Sequence, residues 1–115
     1  MCNVKRIFFI VLISLIACDN NSSQKIDIAS ISIDEFSVIL EEVHVAEATY
    51  QLNKISDLKS AEKDLLQAYA RIFKENNTTK SEFKRNLKYY SKNLEELDKV
   101  YEKILESLKE IQSNL

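Results

Sequence analysis

The 115-residue chain contains no glycine and no proline. The usual punctuation of helices is therefore missing: there is no left-handed glycine to follow a last turn, and no proline to forbid another. Helix ends must instead be made by side-chain caps and by asparagine, which tolerates a left-handed backbone. Histidine occurs once, as His44, so a di-iron site of the kind that uses a Glu-x-x-His pair twice cannot be built. Long apolar runs are also scarce. Ile7 to Ile16 is a run of ten residues, broken only by Ser14. As a helix it would rise about 15 Å, roughly half the hydrocarbon thickness of a bilayer, so a spanning helix is the weaker reading.

Cysteine is present twice, and neither copy is expected to persist as a thiol. Leu15-Ile16-Ala17-Cys18 resembles a lipobox, and Lys5-Arg6 ahead of the apolar run gives the basic start of a secretory signal. The resemblance implies that Cys18 receives a diacylglyceryl group, that the chain is cut before it, and that the new amino group is acylated. Residues 1–17 are then a lipoprotein signal peptide. The protein is expected in the bacterial cell envelope, lipid-anchored to a membrane, with its domain facing the periplasm. Two or more acyl chains suffice for stable attachment. Cys2 leaves with the signal and Cys18 is consumed by lipid, so no thiol remains for a disulfide, a nucleophile or a soft metal site. No cofactor is expected beyond the covalent lipid. Loss of Lys5 and Arg6 takes the 16 basic residues to 14 against 18 acidic ones, a net charge of −4. That acidity, together with export, argues against a nucleic-acid partner. One domain with a small core is expected.

Residues 18–31 read as the lipidated cysteine and a tether. Asp19 to Gln24 is polar and without periodicity, and thirteen residues of flexible coil reach roughly 20 Å. Ile26, Ile28 and Ile31 suggest an extended segment lying on the domain. Residues 32–115 predict an all-α fold, a small bundle of about four helices. Ser32 with Glu35 forms a capping box, and Ile31 with Phe36 sits where a hydrophobic staple belongs. Thr79 with Glu82 repeats the box, Asn93 is a variant of it, and Ser56 or Asp57 caps another helix. Asn53, Asn76-Asn77 and Ser91 to Asn93 are the stops. The first helix carries Phe36, Ile39, Leu40, Val43, Ala46 and Tyr50. The second carries Leu58, Ala61, Leu65, Leu66, Tyr69, Ile72 and Phe73. A short third carries Phe83, Leu87 and Tyr90. The fourth, with Leu94, Leu97, Tyr101, Ile104, Leu108 and Ile111, is expected to be the long wall of the core, bent against the third.

His44-Val45-Ala46-Glu47-Ala48, then Phe83-Lys84-Arg85-Asn86-Leu87-Lys88-Tyr89-Tyr90, then Tyr101-Glu102-Lys103-Ile104-Leu105 resemble segments of a family of Bacteroidetes lipoproteins, domain of unknown function 4296. The resemblance covers residues 31 to 111. Asn76-Asn77 and Leu94 stand where family members usually have glycine and proline. The family has no established activity, so the resemblance implies a compartment and an architecture without a mechanism.

Candidate chemistry is thin. Glu41 and His44 have the Glu-x-x-His spacing that puts a carboxylate and an imidazole on one helix face, and the resemblance adds Glu47. A metal or acid–base site at Glu41, His44 and Glu47 is therefore the alternative to a structural polar cluster, with Glu62 and Asp64 of the second helix as further carboxylates. A structural role is favoured, because there is no second histidine and no thiol. Tyr101, Tyr90 and Tyr69 are expected to close the core with their hydroxyls at its edge, while Tyr89, off that stripe, suits an exposed contact. The third helix is basic, with Lys80, Lys84, Arg85, Lys88 and Lys92 against Glu82. That is either a solvated face or a surface, including Lys84 and Lys88, drawn to anionic headgroups. The expectation is a non-enzymatic binding or scaffolding module with an envelope protein as partner.

Overall fold

A computed structural model describes residues 28–115. The expected signal peptide, Cys18 and most of the expected tether lie outside the described residues. Within them the chain is all helical: α1 (Ile33–Asn53), α2 (Leu58–Glu75), α3 (Lys80–Lys92) and α4 (Leu94–Ser113).

Local chemistry sets most of the helix ends. Ser32 accepts from the Glu35 N–H, and the Glu35 carboxylate accepts from the Ser32 N–H, a complete capping box. Ile31 and Phe36 flank it and are both buried, which completes the staple. Asp57, not Ser56, caps α2 through the Ser60 N–H at 3.1 Å. At the other end of α2, Asn77 has φ of 52°. The Thr78 N–H reaches the Phe73 carbonyl at 2.9 Å and the Asn77 N–H reaches that of Lys74 at 3.2 Å. This is a Schellman closure with asparagine in the position glycine usually fills. Thr79 caps α3 through the Glu82 N–H. Glu82 does not complete the box. Its carboxylate accepts from the hydroxyls of Ser30 and Thr78 instead. Asn93 also departs from expectation. Its side chain donates back to the Tyr89 carbonyl at 2.7 Å, so α4 starts without a side-chain cap.

α1 is the central helix. α2 runs antiparallel beside it, with Asn76 donating to Glu42 at one end and Tyr69 donating to Glu47 further along. α4 runs parallel to α1 on its other flank, joined by the Lys103–Asp34 ion pair at 2.6 Å and by the Ser107 hydroxyl donating to Glu41 at 3.1 Å. α3 closes the end of the bundle where α1 begins. There the rings of Phe73, Phe83, Phe36, Tyr90 and Tyr89 follow one another with centroids 5.4, 5.5, 4.6 and 5.2 Å apart. Tyr69 extends the row beside Phe73. Spacings of about 4.5–7 Å favour ring contacts, each adding roughly 0.5–1.5 kcal/mol beyond the area buried.

Two expected faces are corrected. In α3 the buried positions are Phe83, Asn86 and Tyr90, and Leu87 is exposed. In α4 only Val100 and Ile104 are buried, with Leu97 partly so, while Leu94, Tyr101, Leu105, Leu108 and Ile111 are exposed. α4 meets α1 along one strip, and among the described residues no element covers the adjoining apolar arc. It is therefore a side wall, not the long wall of the core. The segment ahead of α1 is split in the same way: Ile31 joins the core, and Ile28 is 80 % exposed. The packed unit therefore takes in Ser30 and Ile31, ahead of the boundary at residue 32 read from the sequence.

Candidate functional site

Glu41, His44 and Glu47 lie three residues apart on α1, so each successive side chain is rotated by about 60° around the helix. The structure shows where that rotation leads. Glu41 leans to α4 and accepts from Ser107. Glu47 leans the opposite way, to α2, and accepts from the Tyr69 hydroxyl at 2.8 Å. His44 stands between them, half exposed, with Nδ1 4.0 Å from a Glu47 oxygen. Burial, the hydrogen bond to Glu47 and the charge of Glu47 push the Tyr69 hydroxyl up to about 12. Tyr69 is thus a neutral donor, and its hydrogen bond to the Glu47 carboxylate makes a strut between α1 and α2.

The geometry separates the two carboxylates that a metal or acid–base site would need to bring together. Glu62 and Asp64 are exposed on α2, and among the described residues no group of three or more His, Cys, Asp or Glu side chains is placed to hold a metal ion. The exposed His44–Glu47 approach is of a kind that contributes about 0–1 kcal/mol.

The second candidate group is on α3. Lys84 and Lys88 are exposed, as expected, on the arc opposite Phe83 and Tyr90. Tyr89 is not a free surface ring. It is half-buried, edge-on to Tyr90, and its hydroxyl is raised above the ordinary value by a hydrogen bond to Glu96, with burial and the Glu96 charge acting in the same direction. Tyr101, expected to close the core, is exposed instead.

Sequence reasoning missed Asn86. It is 2 % exposed, and its Oδ1 accepts from the N–H groups of Ser30 and Ile31, both at 3.0 Å. Its Nδ2 donates to the Ser30 hydroxyl and to the Glu82 carbonyl. The Tyr90 hydroxyl donates to the Ile31 carbonyl at 2.7 Å. One buried amide with every donor and acceptor engaged, plus one tyrosine, ties the entering chain to α3. The signal was available: Asn86 sits three residues after Phe83 and four before Tyr90, on the buried stripe.

A groove of about 470 Å³ runs along α1 between α2 and α4, lined by Glu41, Glu42, Asp64 and Arg71 together with apolar residues such as Val45 and Leu65. It is open, and its charged side chains come from both α1 and α2.

A family model described as a domain of unknown function (DUF4296) matches residues 29–114. The chain belongs to this family. The match begins at Ala29, beside the segment that Asn86 holds. No curated protein and no solved structure matches this DUF4296 chain.

Proposed function

We propose that this DUF4296 chain is a lipid-anchored cell-envelope protein whose helical domain is a non-catalytic binding or scaffolding module. The lipobox ending in Cys18 supports the anchor. The observation that carries the binding role is the uncovered arc of α4: Tyr101, Leu105, Leu108 and Ile111 lie on one side of a well-formed helix, all between 44 % and 56 % exposed. Soluble domains rarely leave such a run of large apolar side chains in water unless something else covers it. Among the described residues no three His, Cys, Asp or Glu side chains are placed to hold a metal ion. Glu41 and Glu47 are each engaged with a neighbouring helix and turned apart. An envelope protein is the partner proposed for the α4 arc.

The anchor is tested by mass spectrometry of the membrane-purified protein, which should show acyl mass on Cys18, and by Cys18→Ala, which should leave an uncleaved and unlipidated precursor. An unmodified N-terminus beginning elsewhere contradicts it. The binding role is tested with a photo-crosslinking residue at Leu105 or Leu108 in cells. One defined envelope protein should be captured from these positions and not from Lys59 on α2. Equal capture from all three positions, or none, contradicts a specific surface there.

A further inference from the structure

We propose that α3 is the membrane-facing side of the domain, its lysine ladder lying against anionic lipid headgroups. Lys80, Lys84 and Lys88 recur every fourth residue, so they stand in a row on one side of the helix. All three are exposed, as is Arg85 beside them, and all lie away from the stripe of Phe83, Asn86 and Tyr90. Among the described residues none of these four pairs with a carboxylate. The single acid of α3, Glu82, is turned aside to the hydroxyls of Thr78 and Ser30. Five basic residues against one acid give α3 a charge of +4, while the chain from Cys18 onward carries −4 in total, which leaves −8 for everything else. A dipolar body of this kind turns its basic end to an anionic surface and its acidic body away from it.

The second observation is where the chain enters. Asn86 and Tyr90 fix Ser30 and Ile31 on α3 itself. Twelve residue steps lead from Cys18 to Ser30, and extended chain spans at most about 3.3–3.6 Å per residue. A lipid on Cys18 therefore holds α3, and not the far end of the bundle, within about 43 Å of the bilayer. Linkage over that distance gives the helix a high effective concentration at the surface, so weak individual contacts suffice. The proposal rests on the anchor at Cys18. It adds a fixed orientation, with the exposed arc of α4 turned to whatever stands beside the protein on the membrane.

Lysine footprinting tests it. The full-length protein purified from membranes is placed in vesicles of phosphatidylcholine, with or without phosphatidylglycerol, and acetylated with an active ester before mass spectrometry. Lys80, Lys84 and Lys88 should react several-fold more slowly on the anionic vesicles, and the protection should vanish near 1 M salt, where charges are screened beyond about 3 Å. Lys59 and Lys63, exposed at the start of α2, should react alike on both. Lys84→Gln with Lys88→Gln should weaken the attraction about 25-fold, about fivefold per charge, and release Lys80. Lys84→Arg with Lys88→Arg should leave Lys80 protected. Equal reactivity of α3 and α2 lysines on anionic vesicles overturns the proposal. So does protection that is as strong without phosphatidylglycerol, which would mean a protein contact. The same digest reports the mass at Cys18, so a missing anchor is seen independently of the α3 footprint.

Discussion

α3 and α4 follow one another with only Asn93 between them, and both are amphipathic, yet they are used in opposite ways. α3 is short, and its buried arc is covered by the rings of α1 and α2 and by the chain entering at Ser30 and Ile31. α4 is longer and more apolar, but it touches α1 along one strip, so among the described residues a continuous apolar arc is left without cover. The helical pattern says which side of a helix is apolar. Only the neighbours decide how much of that side is buried. Where cover is complete, even an asparagine can be a core residue. Where it is partial, leucines are surface.

Substitutions should expose this contrast as a ladder of effects. The largest belongs to Phe36, fully buried between Phe83 and Tyr90. Phe36→Ala should cost about 3–5 kcal/mol, read by chemical denaturation of the purified protein. That is a large share of what a domain this size has, and the variant should be largely unfolded near body temperature. Ile104→Ala, on the one covered strip of α4, should cost about 2–3 kcal/mol, at the lower end for a buried isoleucine because its neighbourhood is open. A loss at Ile104 equal to that at Phe36 would mean α4 is packed as fully as α3.

Asn86→Leu comes next, at about 1–3 kcal/mol, since it leaves the Ser30 and Ile31 N–H groups without their acceptor in a buried place. Hydrogen exchange should report it locally, with faster exchange at Ile31 while α2 is unchanged. A more stable Asn86→Leu protein would show that the entering chain is held by Ile31 packing alone. The Tyr69–Glu47 strut gives a smaller effect with a pH signature. The folded state raises the Tyr69 hydroxyl from its usual 10.0 to about 12. The folded state therefore favours the neutral form, and the contribution is intact below pH 10 and is lost as pH rises from 10 towards 12. Tyr69→Phe should cost about 0.5–1.5 kcal/mol at neutral pH and should flatten that alkaline loss. An unchanged alkaline limb would assign the loss to other groups, Tyr89 and Tyr90 being raised as well.

What could be read in advance follows the same line. The start of α1 was legible because Ser32, Glu35, Ile31 and Phe36 act on one another within five residues. The stop at Asn76-Asn77 was legible because asparagine is the remaining residue for a left-handed closure in a chain without glycine. The exposure of Lys84 and Lys88 was legible as the side of α3 opposite Phe83 and Tyr90. The choice of Leu87 over Asn86 failed because polarity was weighed without its partners, which lie 55 and 56 residues away in sequence. Asn93 failed as a cap because the end of α3 competes for its side chain. The phase of α4 failed because periodicity carries no information about how many helices will lie alongside. For Glu41, His44 and Glu47 the sequence favoured a structural polar cluster over a metal or acid–base site, and what it could not show is that the two carboxylates have partners on opposite flanks.

The most direct test of the contrast is the thermal stability of Leu105→Gln with Leu108→Gln, two apolar residues 56 % and 44 % exposed on the uncovered arc. The account predicts a melting temperature within about 4 °C of the unmodified protein, equivalent to roughly 0.5 kcal/mol or less, together with loss of the cross-link made from that arc. A fall equivalent to about 3 kcal/mol or more, the scale of a core substitution, would show that α4 is buried by the domain itself and would remove the surface on which the proposed binding role depends.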